Sequence, residues 1–122
     1  MSHTVELKTE VRDPAGVSAA CHRLGLAAPV HRTVKLYSDE ATGLAVRLPD
    51  WRYPIVIDTA SGQVRYDNYG GRWGEQKHLD AFLQAYAVEV VKAQSRRKGH
   101  TVTERALEDG SIKLTVNVGG VA

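Results

Sequence analysis

The chain has 122 residues, 43% of them hydrophobic and 25% charged, with 16 Lys and Arg against 14 Asp and Glu for a formal charge of +2. A chain of this length hides about two-thirds of its unfolded surface, enough for one core and too little for two. The composition excludes a disordered segment, the charge is far from that of a dedicated nucleic-acid binder, and one cysteine excludes an internal disulfide and any multi-cysteine zinc site.

The opening MSHTVELKTEVR lacks the apolar block of a signal peptide. No run approaches the roughly 20 apolar residues of a membrane span. Together with the lone thiol, these features lead to the expectation of a cytoplasmic chain without a membrane partner. There is no repeat, low-complexity tract or linker, and residues 1–122 read as a single domain.

Alternation of Val5, Leu7 and Val11 against Glu6, Lys8 and Glu10 predicts a strand over residues 3–11. Asp13 followed by Pro14 is a helix start, a carboxylate to cap free amides and then proline at the first helical position. Val17, Ala20, Cys21 and Leu24 recur at helical spacing, and Gly25 is the natural stop. Residues 30–37, with Val34 and Leu36 on one face, predict a strand. Residues 38–43 (SDEATG) predict a turn, and Leu44, Val46 and Leu48 a further strand that Pro49 and Asp50 end. The run Ile55, Val56, Ile57 suits a central strand covered on both faces. DTASG at 58–62 reads as a hairpin loop, after which Val64 and Tyr66 continue the sheet.

A long helix is predicted over residues 75–98. Its stripe is Leu79, Phe82, Leu83, Tyr86 and Val90, Arg96, Arg97 and Lys98 suit its C-terminal dipole, and Gly99 stops it. Such a helix would span about 36 Å, longer than a domain of this size needs. Val88 and Val91, off the stripe, are therefore candidates for meeting another chain. The last segment predicts a hairpin, HTVTERAL and SIKLTVNV around Glu108, Asp109 and Gly110, with Ile112, Leu114, Val116 and Val118 facing inward. A terminal hairpin leaves an edge that is a further route to a partner. The order β-α-β-β-β-β-α-β-β with short links predicts a two-layer α+β domain. Its largely antiparallel sheet would have about seven strands, with two helices on one face.

The densest unusual segment is YDNYGGRWG at 66–74. It sets Tyr66, Asp67, Asn68, Tyr69, Arg72 and Trp73 on a glycine-bent backbone. Arg72 is suited to hold a carboxylate or phosphate bidentately, and Trp73 is an anchor residue type. The structural alternative is that the glycines turn the chain, the aromatics plug the sheet edge and Trp73 packs back on the helix as a staple. No Gly-Lys-Ser/Thr follows the glycines, so the run is not a P-loop. None of His3, His22, His31, His78 and His100 is paired at metal-ligand spacing, and neither metal nor cofactor is expected. Cys21 sits on an apolar stripe, and His22 projects about 100° away from it around the helix, which gives no nucleophile pair. Asp58 and Asp67 read as turn formers. No catalytic residue emerges, which favours a binding module over an enzyme.

The sheet's reverse face is a second candidate. Lys8, Lys35, Arg47, Arg65, Arg105 and Lys113 alternate away from the helices beside Glu6, Glu10 and Asp67, and Tyr37 joins them. An open basic sheet is how some single-stranded RNA readers present themselves, yet stacking platforms need two or three aromatics and only Tyr37 is assignable there. The alternative is an ordinary solvated face of mixed charge.

The opening SHTVELKTEVRD, the RYDNYGGRWG segment, the LQAYAVE run and the ending GHTVTERALEDGSIKLTV together resemble the hypothetical chloroplast open reading frame thirty-five family of plastids, cyanobacteria and bacterial relatives. The resemblance covers nearly the whole chain and implies a small soluble protein with no assigned activity, cofactor or catalytic residue. It also implies an accessory role beside an ATPase of the AAA class. The expectation is therefore a non-enzymatic binding or accessory domain that recognises another protein through the 66–74 loop. The alternatives are a small-molecule site or enzyme in the same loop, and RNA binding through the basic face.

Overall fold

The computed structural model describes residues 10–118 and the backbone of residues 5–7. The elements in chain order are β1 (Val5–Leu7), α1 (Pro14–Arg23), β2 (Val30–Lys35), β3 (Glu40–Val46), β4 (Ile55–Asp58), β5 (Gln63–Tyr66), a short 3-10 turn (Tyr69–Gly71), α2 (Gln76–Arg97), β6 (Thr101–Ala106) and β7 (Ile112–Asn117). The fold is α+β, with every strand pairing antiparallel. The strands form two sheets, one ordered β1-β5-β4-β3-β2 and one β6-β7, rather than the single sheet expected. The chain divides into two compact units, one up to Tyr86 and one from Ala87 onward.

In the first unit the start of α1 follows its local chemistry. The Asp13 carboxylate accepts the Ala15 N–H at 3.0 Å, and Pro14 opens the helix. Val17, Ala20 and Cys21 are buried. Leu24, expected on the same stripe, is 38% exposed, because the helix has ended and Leu24 is its C-cap before Gly25 at φ 69°. These α1 side chains and Leu79, Phe82 and Ala85 of α2 share one core cluster with Val46, Ile55, Ile57, Val64 and Tyr66 of the larger sheet. Both helices thus cover the same face there. The Tyr86 hydroxyl accepts the Arg12 and Asp13 N–H groups at 3.2 and 3.1 Å, tying the lead-in of α1 to α2.

Much of the reverse face of this sheet is dry, not solvated as the alternation suggested, although Val30 and Arg32 on the same alternation of β2 are exposed. Val34, Leu36, Ala41, Ala45 and Val56 are buried there in a second cluster, with Tyr53 packed against it. The reason lies in residues 40–43, expected as part of a turn. They belong to β3, and the true turn is tighter, closed by Leu36 N–H to Asp39 O at 2.7 Å. Ala41, Gly43 and Ala45 give β3 a reverse side of small residues. Gly43 is required by close approach, since a Cβ there would lie 2.3 Å from the Ile57 carbonyl oxygen. Arg65, opposite Val56, crosses this face and binds the Asp39 carboxylate and the Glu40 carbonyl.

The expected strand over 3–11 is strand only at Val5–Leu7 within the described residues. Val11 instead donates its N–H to Gly62 O at 2.8 Å. DTASG closes as a hairpin loop through Gly62 N–H to Asp58 O at 2.7 Å.

The second unit holds the later turns of α2 and the β6-β7 hairpin. Lys92 Nζ binds Glu104 at 2.7 Å and lies 3.6 Å from Glu89, which ties β6 to the helix. Hydrogen bonding to Glu104 raises the Lys92 pKa. The EDG turn is held by Asp109, whose carboxylate accepts the Ser111 N–H at 2.9 Å and its hydroxyl at 2.6 Å, which lowers the Asp109 pKa. Val88, expected to meet another chain, is buried, whereas Val91 and Val90 are half-buried. Ile112 and Leu114 are half-buried. Val116 and Val118, expected inward, are 41% and 73% exposed, because two strands and a length of helix offer too little cover for the end of the row.

Candidate functional site

The 66–74 loop divides into a buried half and an exposed half. Tyr66, Asp67 and Asn68 are buried. Burial raises the Tyr66 hydroxyl pKa, with the Asp80 charge adding to it. Asn68 spans the loop, donating from Nδ2 to Gly74 O at 3.2 Å and accepting the Trp73 and Gly71 N–H groups on its carbonyl, each at 3.0 Å. Asp67 Oδ1 accepts the Tyr69 N–H at 3.3 Å, and its sealed Oδ2 has no partner among the described residues. These three residues set the turn and leave no surface for a ligand.

Above them the backbone takes left-handed conformations at three consecutive residues: Tyr69 at φ 48°, Gly70 at 61° and Gly71 at 98°. The glycines adopt this at no steric cost, but a tyrosine does not, and such strain costs of order 1–3 kcal/mol. It sets the Tyr69 ring against Trp73, centroids 4.8 Å apart and planes 27° from parallel. Tyr37 packs tilted on Trp73 at 5.4 Å, and Tyr53 edge-on at 5.8 Å. The Arg52 guanidinium lies over Trp73 at 4.6 Å and over Tyr53 at 5.6 Å; Arg72 lies over Tyr69 at 5.2 Å. One indole thus gathers three tyrosines and Arg52 from three separate loops, with Arg72 joined to the group through Tyr69. Tyr37 is 59% exposed, Arg52 and Arg72 are exposed, and the other rings are half-buried.

Trp73 does not staple back on the helix; Trp51 has the core role. Its indole N–H donates to Glu75 O at 3.1 Å, its ring meets Tyr66 edge-on at 5.6 Å, and Gly74 lies flat against it. A Cβ at Gly74 would fall 2.3 Å from Trp51 Cδ2. Arg52 N–H then donates to Trp73 O at 2.8 Å, fastening the two loops side by side. Sequence reasoning singled out Tyr69, Arg72 and Trp73 but missed Arg52, Tyr53 and Trp51. The local signal for them was the aromatic pair flanking Arg52 in DWRYP.

The basic residues expected on one sheet face do not share a single face of one sheet. Lys35 pairs with Glu40 on the alternation that carries Leu44 and Ile57, the helix-covered side. Arg65 is spent on Asp39 and Glu40. Arg105 and Lys113 face each other in the separate hairpin sheet. Of the remainder, Arg47 is exposed, and Lys8 lies outside the described residues.

Cys21 is buried and its thiol pKa raised by desolvation, the setting of an inert cysteine. Among the described residues no group of three or more His, Cys, Asp and Glu gathers at metal-binding distance, and no helix is long and apolar enough to cross a membrane. No family model matches the chain, and no curated protein or solved structure matches it significantly.

Proposed function

We propose that this protein works by binding another protein through the surface built on Trp73. The observation that carries the reading is the composition and geometry of that surface. Tryptophan, tyrosine and arginine are the residue types that dominate binding energy at protein interfaces. Here a Trp lies at the centre, Tyr37, Tyr53 and Tyr69 surround it, and Arg52 and Arg72 provide charged donors at the rim. The rings hold one another in place, so little side-chain entropy remains to be lost on binding. The strained Tyr69 fits the same reading, since a backbone held off its preferred conformation marks a position where the side chain's placement matters. The small-molecule reading of this loop called for a pocket beside Tyr66, Asp67 and Arg72; Tyr66 and Asp67 are buried beneath the turn, and Arg72 alone of the three is exposed. The partner class that the family resemblance implies is an ATPase of the AAA class.

The test is capture from extract of the native host by the wild-type chain and by Tyr37→Ala, Arg72→Ala and Trp73→Ala, with mass spectrometry of what is retained and circular dichroism to check the fold. The expected result is one partner that is reduced with all three variants while Tyr37→Ala and Arg72→Ala melt as the wild type does. A retained set that is the same for wild type and the two exposed-residue variants would end this reading.

A further inference from the structure

The least defended strand edge among the described residues belongs to β7. The larger sheet ends on one side at β2, which carries His31, Arg32 and Lys35, the kind of charged residues that blunt an edge against pairing. β6 carries Glu104 and Arg105. β7 reads Ile112, Lys113, Leu114, Thr115, Val116, Asn117: one charge, no proline or glycine, and three branched apolar side chains on one face. It pairs with β6 alone, so its outer row of N–H and C=O groups has no strand beside it among the described residues. Along the apolar alternation exposure rises toward the strand's end. Ile112 and Leu114 are half-buried, Val116 is 41% exposed, and Val118, on the same alternation, 73%. A two-stranded ribbon is marginal in water, and a third or fourth strand is the usual remedy.

We infer that the β7 edge pairs antiparallel with β7 of a second copy, joining two hairpins into one four-stranded sheet. The sequence is self-complementary for that arrangement. Antiparallel pairing about a two-fold axis sets residues opposite one another in one of a few registers. With Thr115 opposite its own copy, Leu114 faces Val116, and Ile112 faces Val118. The exposed end of each apolar row then lies against the covered start of the other. In the same register Lys113 faces Asn117, and the two copies of Lys113 stand about 13 Å apart at the strand rise, beyond the screening length of physiological salt. The register that sets Lys113 against Lys113 is disfavoured by its like charges. Charge thus disfavours that register and leaves open the one in which Val116 and Val118 are both covered. A strand pair with a few side chains is smaller than a standard interface, so association is weak and visible only as a concentration dependence.

The decisive measurement is sedimentation velocity of the full chain from about 1 μM to about 1 mM, the span over which a weak dimer assembles. The wild type is expected to pass from monomer to dimer, and Val116→Lys to move the midpoint at least tenfold higher. Because Val116→Lys also alters the hairpin, a second pair of variants fixes the register without touching the apolar row. Thr115→Cys is expected to form a disulfide-linked dimer under mild oxidation, since directly opposed strand residues lie within disulfide reach. Lys113→Cys is expected to stay uncrosslinked, and the native Cys21 is buried. A wild type that remains monomeric throughout, a dimer indifferent to Val116→Lys, or equal crosslinking of the two cysteine variants overturns the inference.

Discussion

The two units of this chain solve the same problem to different degrees. Up to Tyr86, five strands and two helical segments enclose a core in which Val11, Val17, Ala20, Val46, Ile55, Ile57, Val64, Leu79 and Phe82 have no exposed surface. Much of the reverse side of that sheet is closed as well, by small residues, Tyr53 and the Arg65 arm. From Ala87 onward, one hairpin and part of one helix leave the strand side chains half-buried at best. The difference follows from the number of layers. A sheet with helices on one face and a packed cluster on the other buries most of its apolar side chains, Val30 at its edge being 56% exposed, whereas a ribbon with one helix alongside leaves them half-buried at best. A finished core holds a rigid binding surface; an unfinished one has an edge to offer.

The contrast is tested most severely by truncating each core. Phe82→Ala is expected to cost about 3–5 kcal/mol in denaturant unfolding, as fully buried aromatic truncations do. Leu114→Ala is expected to cost less than about half as much, and equal losses would abolish the distinction. Gly74→Ala comes next. Its Cβ must displace the buried Trp51 ring, an overpacking of about 1–3 kcal/mol that should also shift the Trp51 fluorescence. Native-state hydrogen exchange places the two units on one scale. Amides of β6 and β7 are expected to exchange at least about tenfold faster than those of β3 and β4.

The smallest effects are electrostatic and belong to the hairpin. Lys92→Met removes the bridge to Glu104 and is expected to cost less than about 1 kcal/mol, since the Lys92 side chain is 27% exposed and water screens the pair. The folded-state Lys92 pKa is raised, so its contribution is complete below the ordinary lysine value and is lost as pH rises through the raised one. Thermal melts of wild type and Lys92→Met should therefore converge at strongly alkaline pH. Asp109 has the opposite sign. Its pKa is lowered, so its support of the turn is complete above the ordinary aspartate value and is lost as pH falls through the lowered one. The Ser111 amide resonance should report that titration with a midpoint below the usual aspartate range.

Features whose cause lies within a few residues were legible from the sequence. Asp13-Pro14 specified the start of α1, DTASG and EDG specified turns that close with the hydrogen bonds their residue types offer, and the apolar spacing of Leu79 and Phe82 marked the buried side of α2. Misreadings came where neighbours distant in sequence decide. EATG has turn composition, yet its residues pair with β2 and sit as strand because small side chains are what the closed reverse face accommodates. The candidate site was half visible. The 66–74 loop stood out by composition, but nothing local joins Tyr37 and Tyr53 to Trp73, and nothing local distinguishes the interior Trp51 from the half-buried Trp73.

Alternation and capping located most strands and both helices and marked one apolar side of each, because those preferences arise from backbone sterics and local hydrogen bonds. Which apolar sides found cover was decided by tertiary structure. Lys35 and Arg65 ended on different faces, Arg105 and Lys113 in a different sheet, and three loops met at one indole, because strand partners are chosen by burial summed over the whole chain.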